Sequence, residues 1–378
     1  MTVNEEKIMR ACLRQIKGLG SQRLKALITY FGDATSAWKA KEREYASWGN
    51  QKWIGEFLRQ RKLLDPETVE SRLRQLEINL TTPEEETYPQ LLSQLTDAPP
   101  LLYYKGTIEG KAEAVAIVGA RKSTPYGRAV AQQMAEQLAL QGIVVVSGLA
   151  LGIDRAAHCG VLKRQGVTWA FLGCGLDRIY PNENIKLAAE VKEQGALISE
   201  YPPGTPPEAG HFPARNRLIS GCSRGVVVVE AAERSGALIT ADFALEQGRE
   251  VFAVPGSIFS PQSKGTHHLL RQGAKLVESI EDIWPEISPW AAFWPFREEL
   301  KNKQRRPEQN DIGNGDEESK TDAIQKNVLS LLGDSPLHFD QIQVQSIGKQ
   351  GEVTLALLEL ELGGKIVCLP GGYYVLNR

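Results

Sequence analysis

Between residues 112 and 284, short β-branched and apolar runs alternate with helical stretches, and this alternation leaves few folds open. The runs are Ala114–Val118, Ile143–Ser147, Thr168–Leu172, Ala196–Ser199, Val226–Val229, Val251–Val254 and Lys275–Val277. Most are apolar at nearly every position, as strands covered on both faces are. Gly127–Gln141, Asp154–Arg164, Asn182–Gln194 and Ala237–Gly248 read as helices between them. Strand, helix, strand in series gives right-handed crossovers and a doubly wound α/β fold with a parallel sheet. Ligands of such sheets sit at the carboxyl ends of the strands, where loops turn into helix N-termini.

The rest of the chain is organised around this core. At 378 residues the length suits two to three domains. Residues 1–80 are rich in helix formers and hold 15 Lys or Arg against 10 Asp or Glu, a net of +5. Residues 81–111 contain Pro83, Pro89, Pro99 and Pro100 and read as an irregular connector to the core at 112–296. Residues 297–322 carry mixed charge and few apolar side chains, as flexible linkers do. An apolar pattern resumes over 323–378.

A net charge of -2 excludes a uniformly basic coat protein, yet is compatible with a local basic groove. The N-terminal segment is polar, and no run approaches the roughly 18 apolar residues of a membrane span. Five widely spaced cysteines, Cys12, Cys159, Cys174, Cys222 and Cys368, fit the reduced thiols of a cytoplasm. Neither C-x-x-C nor H-E-x-x-H occurs among them and the five histidines, so no zinc site is expected.

Four loops leave strands with chemistry suited to anions. The first, Val118 to Gly127, joins Gly119 to Arg121 and Lys122 ahead of a helix, without the spacing of a dinucleotide or NTPase phosphate loop. The second contains Ser147, Gly148 and Gly152, then Asp154 and His158 on one helix face. Those two read either as an acid–base pair or as a helix cap with a packed imidazole. The third, His211 to Ser220, sets Phe212 ahead of Arg215, Asn216 and Arg217. An aromatic platform beside cations is how single strands are held without base reading. Arginines two apart diverge by about 200° on a helix, so they share a target only at its first turn. Salt-bridged arginines over a core Phe212 are the equal alternative. The fourth loop opens a helix at Ser235-Gly236, as a phosphate donor or an ordinary cap, and Lys264-Gly265-Thr266 repeats it more weakly. No loop shows a G-x-S-x-G elbow or a close carboxylate dyad, which favours binding over bond breaking.

The flanks carry two further patterns. Gly18-Leu19-Gly20 before a helix resembles the hairpin of helix–hairpin–helix modules, which serve in DNA contact or only in interactions. The C-terminal stretch reads as helices over Asp322–Leu332, Phe339–Ser346 and Gly351–Gly363, then strands Ile366–Leu369 and Tyr373–Leu376, a winged-helix pattern. Glu352, Glu359 and Glu361 make its third helix acidic, which disfavours duplex binding and suits a protein contact.

VGARKSTPYG, SGLALGIDRAAHCG, GCGLDRIYP, SEYPPGTPP, FPARNRLISG, VVVVEAAERSGALITADFALEQGREVFAVPG and SKGTHHLLRQGA together resemble the DNA-processing protein A family, DprA or Smf, across essentially the whole chain. The resemblance implies a Rossmann-like core between an N-terminal helix–hairpin–helix or SAM-like domain and a winged helix. It implies a cytoplasmic protein that binds incoming single-stranded DNA in natural transformation, protects it and helps load the RecA recombinase. A homodimer through the core is implied, with no cofactor and no enzymatic activity. On this resemblance Gly119, Arg121 and Lys122 grip a DNA phosphate, and Ser147, Gly148 and Gly152 form a second phosphate loop. Phe212, Arg215, Asn216 and Arg217 fall at the groove, with Ser235, Gly236 and Lys264 near the same edge. Glu208 stands where many members carry a basic residue, His267 where Asn is usual, and Cys222 where Leu is common. The alternative class is a nucleotide phosphoribohydrolase-like enzyme, but the matching loop at Glu230 lacks that group's paired glycines and trailing Glu. A pure protein adaptor is the third reading.

Overall fold

The computed structural model describes residues 3–45, 51–287, 320–332, 337–346, 350–369 and 373–376. The linker expected over 297–322 lies, up to residue 319, outside these described residues. The chain divides into one unit spanning residues 1–295 and a second spanning 296–378.

The first unit is built on nine strands, β1 Asn79–Thr81, β2 Leu102–Gly106, β3 Ala114–Val118, β4 Val144–Ser147, β5 Thr168–Leu172, β6 Ala196–Ser199, β7 Gly225–Val228, β8 Glu250–Ala253 and β9 Lys275–Leu276. They form one sheet in the order β1-β2-β6-β5-β4-β3-β7-β8-β9. The strands from β6 to β9 run parallel, and β2 and β1 add antiparallel at one edge. The stretch read as an irregular connector thus contributes strand β2. Its prolines lie outside Leu102–Gly106, so none interrupts the ladder. The chain winds outward from β3 to β6 on one side, then returns to β7 on the other. A crevice opens at such a reversal, between the carboxyl ends of β3 and β7.

Helices of this unit are α1 Val3–Arg14, α2 Ser21–Phe31, α3 Ala34–Lys39, α4 Gln51–Leu63, α5 Pro66–Gln75, α6 Gln90–Ser93, α7 Pro125–Leu140, α8 Ile153–Lys163, α9 Ile185–Gln194, α10 His211–Gly221, α11 Gly236–Glu246, α12 Lys264–Arg271 and α13 Trp284–Ile287. The alternation of side chains along each strand explains why both faces are apolar. Ala114, Ala116 and Val118 of β3 face Leu218 and Ile219 of α10 and Ala237 and Ala241 of α11. Val115 and Ile117 face Met134 of α7 and Ala157 and Val161 of α8. Starts are set locally: Thr124 accepts from Gly127 N at 3.1 Å ahead of Pro125, and Asp65 accepts from Thr68 N at 2.9 Å ahead of Pro66.

The N-terminal helices share a core of their own, with Leu13, Leu24, Leu27 and Phe57, and two of them also pack on the sheet. Ile8 and Cys12 of α1 and Val69 and Leu73 of α5 share a core with Tyr103 of β2 and Leu197 of β6. Arg10, a buried residue of α1, donates to Glu6 at 3.0 Å, to Glu84 at 3.0 and 3.2 Å, and to the Pro100 carbonyl at 2.9 Å.

In the second unit, α14 Lys320–Leu331, α15 Phe339–Gln345 and α16 Gln350–Leu362 pack Val328, Ile342, Val353 and Leu357 together. Three strands, β10 Leu337–His338, β11 Ile366–Leu369 and β12 Tyr373–Leu376, pair antiparallel in the order β10-β12-β11. The sequence pattern supplies two of these strands, and the two-residue β10 is too short to show in it.

Arg10→Ala leaves the Pro100 carbonyl without its side-chain donor and removes the positive charge beside Glu6, which keeps the bonds from Ala34 N and Thr35. Its expected cost is about 3 kcal/mol, the lower end for breaking a buried pair, because Glu84 reaches solvent. Urea unfolding of the full chain, followed by tryptophan fluorescence, measures this.

Candidate nucleic-acid interface

The loop after β3 is fixed at both ends. Ala120 N donates to the Glu230 carbonyl at 2.7 Å. The Glu230 carboxylate, itself buried, accepts from Thr124 N at 2.8 Å and from the Thr124 hydroxyl. Gly119 lies so close to Ile153 that a Cβ would stand 2.6 Å from its Cγ1. Between these anchors Arg121 and Lys122 are exposed at the lip of a cleft of about 720 Å³.

The loop after β4 packs beneath the first. Gly152, at a φ of +82°, lies where a Cβ would collide with the Ala120 carbonyl and approach that of Arg121 to 2.6 Å. Its role is to let the two loops touch. Ser147 is fully buried and donates to the Ile117 carbonyl at 2.7 Å, away from the cleft. Asp154 accepts from Gly148 N at 3.2 Å and Ala150 N at 3.4 Å, and its burial pushes the carboxyl pKa up. His158 does not pair with it. Its Nδ1 bonds Thr168 Oγ1 at 2.8 Å, and the Thr168 hydroxyl donates to the Val145 carbonyl at 2.7 Å. Nδ1 therefore carries the proton of a neutral ring. Burial, and then the Arg215 charge, push His158 down to about 3. His158 is a packed imidazole, while Asp154 neither pairs with it nor caps the helix and instead holds the loop amides of Gly148 and Ala150.

Helix α10 sends its side chains three ways. Phe212, near its start, carries the Arg121 guanidinium over its ring at 5.3 Å and the Tyr180 ring beside it at 5.6 Å. Arg215 points inward to the cleft floor, donates to the Phe171 carbonyl and presses its guanidinium against Gly148. Burial pushes it down to about 10, so it remains a cation at neutral pH. Asn216 Nδ2 donates to the Gly236 carbonyl at 3.1 Å, fastening α10 to the start of α11. Arg217 points away from the cleft, as a residue 200° round from Arg215 must. It makes bidentate bonds to Glu200, both 2.7 Å, and reaches Asp97 Oδ2 at 3.1 Å.

The structure therefore gathers Gly119, Arg121, Lys122, Phe212, Arg215, Asn216, Ser235 and Gly236 around one cleft. Gly148 lines a small recess beside it, with Tyr180 and Arg215. Four expected site residues are not brought there. Ser147 is turned into the sheet, Gly152 serves loop contact, Arg217 is held by carboxylates, and Lys264 opens α12 outside the cleft wall. Glu208 lies beside His211 at 3.8 Å, along a separate groove facing the Gly18–Gly20 hairpin. His211 itself stacks on Tyr201 at 4.1 Å and is not a cleft platform. His267 Nε2 bonds the Gly256 carbonyl at 3.0 Å, and Cys222 is packed in the core.

Sequence reasoning missed Tyr180, the second aromatic, and Glu230, the anchor of the cation-bearing loop. The available signals were a tyrosine before proline in the loop after β5, and a carboxylate ending an otherwise apolar run.

Residues 79–288 match the family model for DNA recombination-mediator protein A, and residues 315–372 match that for the DprA winged helix domain. Protein Smf of Escherichia coli (strain K12) is 42% identical over 316 residues, 82% of each chain. The crystal structure of DNA processing protein A from Streptococcus pneumoniae superposes with a TM-score of 0.66 at 36% identity, covering 76% of this chain and 99% of that one. A DNA processing protein A from Helicobacter pylori, described for its unique single-stranded DNA binding mode, gives a TM-score of 0.50 at 33% identity, covering 55% and 95%.

Two outcomes follow from these contacts. Arg217→Ala strands buried Glu200 and lowers stability by about 3 kcal/mol. It leaves oligothymidylate affinity within roughly a factor of two, about 0.4 kcal/mol. Urea unfolding and fluorescence anisotropy separate the two effects. His158 is depressed in the folded state, so its contribution is complete above its unfolded pKa near 6.5 and is lost as pH falls toward 3. The loss runs at about 1.4 kcal/mol per pH unit, and buried Asp154, shifted up, opposes it as pH falls through its raised folded pKa toward its unfolded value. His158→Gln flattens the stability–pH slope between these limits, as denaturant midpoints at stepped pH will show.

Proposed function

Because this chain belongs to the DNA recombination-mediator protein A family, we propose that its cleft holds single-stranded DNA. The observation that carries the reading is the Arg121 guanidinium stacked on Phe212 at the mouth of the β3–β7 crevice, with Lys122 beside it. Arg121 and Lys122 neutralise successive phosphates, while an unpaired base reaches Phe212 and Tyr180. Arg215 adds a buried positive field from below, where low dielectric strengthens it. Phe212 is half-buried in the crevice, and a base paired inside a duplex does not reach it. Phosphate and stacking contacts are tolerant of sequence, which suits a protein that must accept any strand.

On this reading the protein covers incoming single strands in natural transformation and hands them to the RecA recombinase in the cytoplasm, acting as a homodimer through the core unit. It binds rather than cleaves: the loop after β7 lacks the trailing Glu of the phosphoribohydrolase pattern, and its first carboxylate, Glu230, is taken up in holding Thr124. No helix among the described residues is long and apolar enough to cross a membrane. The winged unit carries Glu352 and Glu361, and Glu359 bonded to Gln325 at 2.7 Å, on its third helix. That charge suits a protein partner better than a duplex.

Anisotropy of a labelled oligothymidylate tests the reading. Arg121→Ala is expected to lose about 1–3 kcal/mol of binding, and Phe212→Ala a similar amount through lost stacking. Wild-type affinity falls with added salt and exceeds that for a duplex of equal length. Binding by Arg121→Ala equal to wild type would refute the cleft assignment.

A further inference from the structure

The loop between β8 and α12 holds an aromatic side chain out into solvent, at the same sheet edge where the cleft opens. Phe259 is 89% exposed and its neighbour Ile258 77%. The loop beneath them is fastened along its length. The Pro255 carbonyl accepts from the Tyr126 hydroxyl at 3.0 Å, and the Gly256 carbonyl from His267 Nε2 at 3.0 Å. Ser260 N donates to the Ser257 carbonyl at 3.0 Å and Phe259 N to the Ser257 hydroxyl at 3.3 Å, which closes a turn around the two apolar residues. Beyond the turn, Ala231 N donates to the Gln262 carbonyl at 2.8 Å, and Gly265 N to the Ala231 carbonyl at 2.7 Å. These bonds tie the loop to the one leaving β7, and Gln262 is itself part of the cleft wall. Phe259 has so little contact with its own chain that packing does not account for it.

Two cations stand at the same edge, Lys122 in the loop after β3 and Lys264 at the start of α12. Both are exposed, and neither forms an ion pair among the described residues. The exposed Glu233 and Arg234 in the loop between them add no net charge. Strand β8 lies two strands from β3, roughly 10 Å at the usual strand spacing. That is about three nucleotides of a stacked strand at 3.4 Å each. We propose that Phe259 is a further stacking platform for single-stranded DNA, on which a base of the strand leaving the cleft rests, with Lys264 taking the phosphate beyond it. This inference rests on the reading of the cleft as a single-strand site. Lysines without carboxylate partners beside an aromatic suit phosphates, whereas protein interfaces are depleted in lysine. The platform lengthens the footprint without adding sequence preference, since every base has a face to stack.

The test is fluorescence anisotropy with the full-length protein and labelled oligothymidylates of about 5 and about 20 nucleotides, near the bottom of and beyond the usual range of site sizes. Sedimentation velocity on each variant reports its oligomeric state. Phe259→Ala is expected to weaken the long oligomer roughly tenfold, and the short one, which the cleft alone accommodates, by less than about twofold. Phe259→Trp keeps wild-type affinity and Phe259→Leu does not, because stacking needs a ring. Lys264→Ala lowers the salt slope of long-oligomer binding by about 0.7, the share of one phosphate. At 89% exposure, changing Phe259 removes no packing. The proposal is overturned if Phe259→Ala binds the long oligomer as wild type does, loses equally on both lengths, or if Phe259→Leu binds as Phe259→Trp does. An unchanged salt slope in Lys264→Ala also overturns it, and so does a loss of affinity that accompanies a change of oligomeric state, in favour of a protein contact. The cleft reading fails separately, if Arg121→Ala binds the short oligomer as tightly as wild type.

Discussion

The cleft depends on one buried carboxylate. Glu230 ends the run of β7 and reaches across the reversal point of the sheet to hold Thr124, at the far end of the loop that leaves β3. Its carbonyl holds Ala120 at the near end. The two strands flanking the crevice are thereby tied by their loops as well as by their ladder. Arg121 and Lys122 lie between the two ties, so their backbone is fixed while their side chains remain free to meet a ligand. Gly127 is glycine because the Glu230 carboxylate occupies the space a Cβ would take. A cation held this way is preorganised, and a ligand gains affinity when little ordering is left to do on binding.

The parallel strands were legible in the sequence to within about one residue, because both faces of the central sheet are covered and most runs are apolar at nearly every position. The glycine loops were legible for the same reason that they work: nothing but glycine fits where Gly119 meets Ile153 or Gly152 meets the Ala120 carbonyl. Contacts between distant positions were not legible. Glu230 and Thr124 are 106 residues apart, and no local pattern marks a carboxylate that will cap another strand's loop. Tyr180 meets Phe212 only because the loops after β5 and β6 end at the same sheet edge. Strand β2 was hidden by its proline-rich flanks, although Leu102 and Tyr103 are buried as strand residues beside β6.

Arg217 shows where local geometry outweighs family pattern. Its place in FPARNRLISG puts it at the groove by resemblance, and helical geometry puts it on the far side from Arg215. Residue 217 stands in the second turn of α10, beyond the first-turn exception, and the geometry holds. Glu200 meets it there, and the Glu200 carbonyl accepts from Arg14 at 2.9 Å. The arginine that leaves the cleft thus helps join the N-terminal helices to the core. Charge is divided accordingly: among the described residues no carboxylate pairs with Arg121 or Lys122, while Arg217 and Arg224 are matched by carboxylates.

Helix α10 connects these functions mechanically. Its 11 residues span about 16 Å, roughly the thickness of the sheet edge to edge along the strands. The first turn carries Phe212 into the DNA cleft, the middle anchors Arg215 to β5, and the last carbonyls, at Gly221, meet Arg249. Leu218 and Ile219 are packed without exposure against β3 and β7, so the helix cannot bend freely between its ends. The helix thus runs from the cleft to the amino-terminal edge of the sheet as one packed element, fastened to β5 through Arg215 and to the start of β8 through Arg249.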